Sequence, residues 1–346
     1  MFPLLLGVCL ILTSATRTAA APDFVTEYYP VINQAELSIM DQDYAAALNA
    51  YQYAFAAVPS PFARDYYNAA ICALLLQDEK QTYEYLEKLV AKGLSLDYLT
   101  QQPLLDSLAG TRHWKKFRRK YKKRRRAYEE RAKLDLRADL DELYARDQYF
   151  RKAEGGLRVY GDTLRKIETA NVHRLLEWVE QYGYPGEDLI GVADTLEQLP
   201  RFTIVIQRQT KARKGYDFSS MLRDAVHEGK LAPQPAAYLL EQQVGRSTYG
   251  SKAFVRVNCS ACEDDKNKPE YLGRYLLENR SETEQEQVAA QRETLGLEPL
   301  EDYRRKVLYN LSDHRFKLTY PWSVADYYVP SSEAASALME RLIVPE

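Results

Sequence analysis

The chain has 346 residues, enough for about two domains of roughly 150 residues, each with room for a core. A net charge of -2 with a pI near 6.2 excludes a chain built as a whole to bind a polyanion. Tyrosine is abundant, at 27 residues, and suits helix seams and binding surfaces because it buries a ring while keeping a hydroxyl wet.

Residues 1–21 read as a secretory signal. Residues 4–12 form its apolar core, and Thr18-Ala19-Ala20-Ala21 offers small residues for cleavage. The leading Met1-Phe2-Pro3 lacks the usual Lys or Arg. The apolar run, about 12 residues, is shorter than the roughly 20 needed to span a bilayer. Lipid attachment at Cys9 is disfavoured, because Val8 stands where a small residue belongs. No second apolar run follows, so the expected product is a soluble secreted or periplasmic chain with no transmembrane span. Cys72, Cys259 and Cys262 remain after cleavage, an odd count that argues against a dense disulfide framework.

The first expected domain, residues 22–131, is a set of helical hairpins with a basic cap. In residues 43–59, small Ala47 and Ala54 let two antiparallel helices approach, Tyr51 fills the groove, and Pro59 ends the second helix. A second unit follows over residues 66–93. Tyr66, Ala69, Ala70 and Ala73 mark its first helix, Thr82, Leu86 and Leu89 its second, and Gly93 its end. Ala47 and Thr82 are 35 residues apart. The positions Tyr44, Ala47, Tyr51, Ala54 and Pro59 resemble the second half of a tetratricopeptide repeat, whose period is about 34 residues. Thr82 in place of alanine and the absent second proline depart from that motif. Residues 94–117 resemble a shortened third unit. About three repeats are needed to bury a continuous core, so the next helix is expected to cap the stack. The resemblance implies a concave peptide-binding face and therefore a protein partner.

That next helix is strongly basic. Residues 111–126 hold 11 Lys or Arg, while Trp114, Phe117, Tyr121 and Tyr128 fall on one helical face. The pattern predicts an aromatic side packed down and a basic remainder that includes Arg118, Arg119, Lys122 and Lys123. A solvated cap is the plain reading. Contact with an anionic surface or polyanion is the alternative, with no nucleic acid expected for an exported chain.

The second expected domain covers residues 132–312. Helices are expected over residues 134–151, 163–182, 194–214, 218–228, 233–245, 282–294 and 298–308. Leu175, Leu176, Val179 and Tyr182 recur at helical spacing before Gly183 and Pro185 stop the helix. Residues 252–258, KAFVRVN, alternate and predict one strand of a β-hairpin. Asp147 and Arg151 lie one turn apart on one helix face, and Glu168 and Asn171 share a face on the next. Consecutive helices joined by short connections are antiparallel neighbours. These four and Arg208 are therefore expected to meet as a partly buried network near Tyr249. Such a network either locks helices together or lines a pocket.

Four segments carry a family resemblance in this region, in order: residues 140–151, residues 168–191, residues 239–251 with Tyr249-Gly250, and residues 289–303 with Arg292, Gly296 and Tyr303. Together they resemble an uncharacterised bacterial family, domain of unknown function 6624. The resemblance implies a helical domain with a small strand element after Tyr249-Gly250. It also implies a Gln-His pair where this chain has Gln207-Arg208, an acid for which Glu241 is nearest, and Thr-Gln where Ser251-Lys252 stands. Arginine stays protonated, so the lost histidine leaves charge without easy proton transfer. A catalytic family would thus be altered or inactive in this copy.

Cys259-Ser260-Ala261-Cys262 is a lone C-x-x-C after a strand and before Glu263-Asp264-Asp265. It reads as a local loop disulfide, a pair of free thiols or, least favoured, a metal or redox motif. His113, His173, His227 and His314 show no metal spacing, and no phosphate-binding or nucleophile motif is present. No metal and no cofactor are expected. Residues 313–346 form an aromatic strap and a last helix over residues 332–342, packing back on the domain. The sequence thus predicts a mainly α chain: tetratricopeptide-like hairpins, then a helical domain with a small β-hairpin. The first functional expectation is an exported interaction protein that recruits a protein partner. The alternatives are an enzyme of unassigned reaction, with hydrolysis among the candidates, using Asp147, Arg151, Glu168, Asn171, Arg208, Glu241 and Tyr249, and anionic-surface binding through the basic helix.

Overall fold

The chain opens on helical hairpins built by one repeated turn. This computed structural model describes residues 22–262, 265, 266 and 268–345. The expected signal, residues 1–21, lies outside the described residues, as do Glu263 and Asp264. After a short α1 (Phe24–Glu27), α2 (Tyr29–Met40) pairs with α3 (Tyr44–Ala57), and α4 (Ala63–Leu75) with α5 (Glu79–Ala91). Gln42 and Gln77, 35 residues apart, end α2 and α4 with left-handed φ of 60° and 61°. Asp43 and Asp78 then start the next helices by accepting from Ala46 N and Gln81 N, each at 2.9 Å. A left-handed stop followed by an aspartate cap reverses the chain in three residues. Ala47, Tyr51, Ala54 and Thr82 are fully buried in the hairpin seams.

A short α6 (Leu96–Thr100) and a 3-10 turn (Pro103–Leu108) lead to the basic helix α7 (Arg112–Arg131). Thr111 caps α7 through Trp114 N, and Trp114, Phe117 and Tyr128 are buried beneath it. The Tyr128 ring fits between Gly93 (φ 96°) and Gly191 (φ 80°), where a Cβ on either would overlap it. Its hydroxyl donates to Ile190 O at 3.1 Å, so the end of α7 is pinned to the second half of the chain.

The second half continues with α8 (Leu134–Lys152), α9 (Gly156–Tyr182) and α10 (Glu187–Ile190). The helix α9 starts earlier than expected and kinks at Tyr160, whose φ and ψ are -104° and 19°. The single helix expected over residues 194–214 is not formed. Only α11 (Thr203–Arg208) and a 3-10 turn (Lys211–Arg213) are helical there. Pro200 explains this, because it lacks an N–H and biases Leu199 away from helical geometry. The helices α12 (Ser219–His227) and α13 (Pro233–Val244) follow.

The expected hairpin is also replaced. Strand β1 (Phe254–Asn258) pairs in parallel with a strand from the C-terminal region, Phe254 against Val324 through Asn258 against Tyr328. The nearest approach to a hairpin is an isolated antiparallel bridge between Val255 and Leu276. A parallel partner needs a long crossover. Here it consists of β2 (Leu277–Glu278), α14 (Glu282–Thr294) and α15 (Leu300–Ser312) before β3 (Val324–Tyr328). The last helix, α16 (Ser332–Met339), ends three residues early, and β4 (Leu342–Ile343) pairs antiparallel with β2.

The fold is therefore mainly α, with only short strands. One apolar cluster runs from Phe24 to Leu318 and joins the hairpins to the second half. The strap divides. Residues 324–343 return to β1 and β2, but Phe316 stacks on Tyr44, and Lys317 O accepts from Arg64 Nε and from Asn68 Nδ2 at 3.2 Å. Lys317 N donates to Asn68 Oδ1 at 2.8 Å. The strap thus covers α4, which is buried along residues 63–73. Ala47→Trp overpacks the seam of the first hairpin. It should lower stability by about 1–3 kcal/mol in urea denaturation, whereas an unchanged midpoint would refute the close approach at Ala47.

Candidate functional site

The polar residues expected to meet do so in part. Asp147 on α8 is 2% exposed and so needs partners. Arg151, one turn on, donates Nε to Asp147 Oδ1 at 2.8 Å and pairs through Nη2 with Glu168 on α9. Arg208 on α11 reaches Asp147 Oδ2 at 3.4 Å, and Gln148 Nε2 donates to the same oxygen at 2.9 Å. Asn171 is buried one turn from Glu168 but spends its amide on Leu143 O at 3.1 Å. These contacts tie three helices together, and only Arg208 Nε in the network is left buried without a partner among the described residues. That arrangement reads mainly as a lock.

Glu241 and Tyr249 belong elsewhere and share no hydrogen bond or ion pair with that network. Glu241 accepts Tyr249 N at 2.6 Å and Ser251 N at 3.3 Å, and bonds Ser251 Oγ. Burial raises its pKa despite these donors. Tyr249 O accepts from Arg292 Nη1 at 2.7 Å. From Arg292 a chain of buried charges crosses the molecule. Arg292 lies 3.6 Å from Glu298, Glu298 lies 3.4 Å from Lys306, and Lys306 lies 2.5 Å from Glu36 on α2. Burial penalises Glu298, yet Lys306 and Arg292 hold it below the usual carboxylate range.

Glu36 and Glu298 also line a cleft that sequence reasoning missed. It lies between α2, the start of α4, residues 184–200, the start of α13 and the strap, and encloses about 140 Å³. Asp65, on α4, is buried in its wall. Its Oδ2 accepts the Tyr28 hydroxyl at 2.6 Å, and no Lys, Arg or His among the described residues lies within ion-pair distance. Burial pushes the carboxyl up to about 7, with Glu36 adding to the rise. Glu187 caps the start of α4 by accepting Ala63 N at 2.8 Å, and Lys92 sits 3.6 Å from it. The available signal was placement. Glu36 lies among Ile32, Ala35 and Ile39, and Lys306 between Tyr303 and Val307, so each charge falls on an apolar helix face.

The basic helix keeps much of its charge free. Arg124 pairs with Glu87, Arg125 bonds Gly93 O and Glu129, and Arg131 donates to Ala91 O at 2.7 Å. By contrast Arg118, Arg119, Lys122 and Lys123 are exposed and have no carboxylate partner among the described residues. Lys115, Arg118, Arg119 and Lys122 line a shallow groove with Leu96 and Tyr121, with no acid in its wall. Cys259 and Cys262 form a disulfide across a 3-10 turn, and Cys72 is free and buried. Among the described residues, no group of three or more His, Cys, Asp or Glu is placed to hold a metal ion. Nor is any helix among them long and apolar enough to cross a membrane. Searches against family models, curated proteins and solved structures give no significant match.

Two predictions separate lock from cleft. Arg151→Ala strips partners from both Asp147 and Glu168 and should cost about 3–5 kcal/mol in urea denaturation. Arg208→Ala should cost less, because Arg208 is partly exposed and Asp147 keeps Arg151. Equal losses would refute the ranking. For Asp65 the folded value of about 7 exceeds the ordinary 3.8, so protonation favours the fold. The contribution is complete below the ordinary range and is lost as pH rises through about 7. Between about pH 4 and pH 7 the wild type should therefore lose stability relative to Asp65→Asn, by a few kcal/mol at most, and the difference should level off above that. Parallel stability curves for the two proteins would refute it.

Proposed function

We propose that this chain is an interaction protein that docks on an anionic surface through α7, outside the cytosol. The observation that carries the reading is the acid-free groove of Lys115, Arg118, Arg119 and Lys122 on a helix whose other side is packed down. Solvated bases on a rigid helix hold a positive field in place, and anionic headgroups or polymers gain from it without unfolding anything. The Cys259–Cys262 disulfide supports an oxidising compartment, where such bonds persist. An exported chain would also fit the signal-like residues 1–21.

A second reading, recruitment of a protein partner by tetratricopeptide-like hairpins, has one specific support. Asn68 and Arg64 on α4 hold main-chain groups of residues 317–319, the contact pattern of an extended peptide laid on helices. Here the peptide is the chain's own strap, so an outside segment would have to displace it. The Asp147 network gives the enzyme reading less support, because its donors and acceptors, Arg208 Nε excepted, are spent on one another.

Replacing Arg118, Arg119, Lys122 and Lys123 by Gln should abolish cosedimentation with phosphatidylglycerol vesicles without lowering the melting temperature. Wild-type binding should fall steeply with salt, as the Debye length shrinks to about 8 Å at physiological ionic strength. Binding that ignores salt, or that survives the four substitutions, would overturn the proposal.

A further inference from the structure

The cleft beside Asp65 has unspent acceptors. Among the described residues the Asp65 carboxylate meets one donor, Tyr28, and pairs with no cation. Asn33 Oδ1 and Gln234 Oε1 line the same cleft and have no partner among the described residues, while Gln234 Nε2 is committed to Glu298 at 3.2 Å. The Tyr184 hydroxyl, also in the wall, is unpartnered. Gln234 is 8% and Tyr184 6% exposed, so bulk water does not serve them. A buried polar group without a partner costs roughly 1–3 kcal/mol, and several in one cleft mark a place that a ligand completes.

Charge decides what kind of ligand fits. The acids facing Asp65 are Glu36 on α2 and Glu187 on α10, and the base is Arg64 beside it on α4. Arg64 is already held by Lys317 O and by Thr319 O at 2.8 Å, and lies 4.0 Å over the Tyr320 ring. The hydroxyls around Asp65 belong to Tyr28, Tyr29, Tyr51, Tyr66 and Tyr320, all kept neutral by burial. Lys306 and Lys230 also line the cleft, but Lys306 is paired with Glu36 and Glu298, Lys230 with Asp188, and Lys92 with Glu187, so Asp65 is the acid left without a cation of its own among the described residues. Aromatic walls from Tyr29, Phe62 and Tyr184 add faces that attract a cation.

We propose that the cleft between α2, α4 and residues 184–200 binds a small organic cation, its primary ammonium donating to Asp65, Asn33 and Gln234. An ammonium has three donors and no acceptor, which matches a site rich in free acceptors. Its short apolar body fits about 140 Å³ between the aromatic and proline side chains. Where Asp65 is protonated, binding expels that proton, which passes to buffer as the ammonium takes its place. The site is independent of the α7 surface.

The test uses the full chain with n-butylammonium chloride, against sodium chloride of equal ionic strength and against n-butanol of nearly equal shape. Butylammonium should raise the melting temperature, more at pH 8 than at pH 6, and n-butanol should not. Calorimetry in buffers of different ionisation enthalpy should show proton release that fades above about pH 7. Asp65→Asn should lose the effect. Asn33→Ala deletes only an unpartnered acceptor, so it should fold and bind about three- to tenfold more weakly. An equal response to n-butanol points to a neutral ligand and overturns the proposal. So does no response to butylammonium, or binding without proton release near pH 6.

Discussion

The structure depends on one chain of buried charges, Glu36–Lys306–Glu298–Arg292. Lys306 is 1% exposed, and a buried charge is tolerable only when paired and hydrogen-bonded. Its two acids come from opposite ends of the sequence, one on α2 and one just before α15. The first hairpin therefore cannot bury Glu36 without α15, and α15 cannot bury Lys306 without α2. The same coupling recurs where Tyr29 donates to Val226 O at 2.9 Å and Val192 N to Lys92 O at 3.0 Å. Two hairpins bury too little on their own, and the second half of the chain supplies the missing cover.

What was legible in the sequence was local. The hairpin seams follow from Ala47, Tyr51 and Ala54, whose spacing needs nothing beyond one helix pair. The limits of α14 are sharp because Ser281 and Glu284 form a reciprocal capping box. The Asp147–Arg151 pair was readable because it is one turn long, and Glu168 because α9 follows α8 across a short turn. The inference failed where distance entered. Asn171 faces a helix backbone, and Tyr249 and Glu241 join another network, since same-helix spacing does not fix how a third or fourth helix turns.

The strand shows the same limit from another side. Alternation in residues 254–258 revealed β1, but the pattern of one strand does not name its partner, and β3 lies some 70 residues away. The cleft was hidden for a related reason. Glu36, Asp65 and Glu187 sit on α2, α4 and α10, Glu298 on the turn before α15, and they share no motif. Each looks like a solvated helix charge until its apolar neighbours are weighed. A charge amid Ile32, Ala35 and Ile39 is the kind of local conflict that natural sequences retain where structure or function needs it.

The strap decides which surface is open. Residues 317–319 supply acceptors to Arg64 and Asn68, so removing the strap would leave a buried guanidinium and a buried amide without them. A displacing peptide must restore those bonds and also cover Phe316 and Leu318, which are buried against the hairpins. Contact at α7 carries no such requirement, because its free bases are already in water and its packed face is already filled. The near-neutral total charge hides this division. Acids and bases cancel in the interior, where pairing is obligatory, and the uncancelled positive charge of α7 lies at the surface, where an approaching anion meets it first.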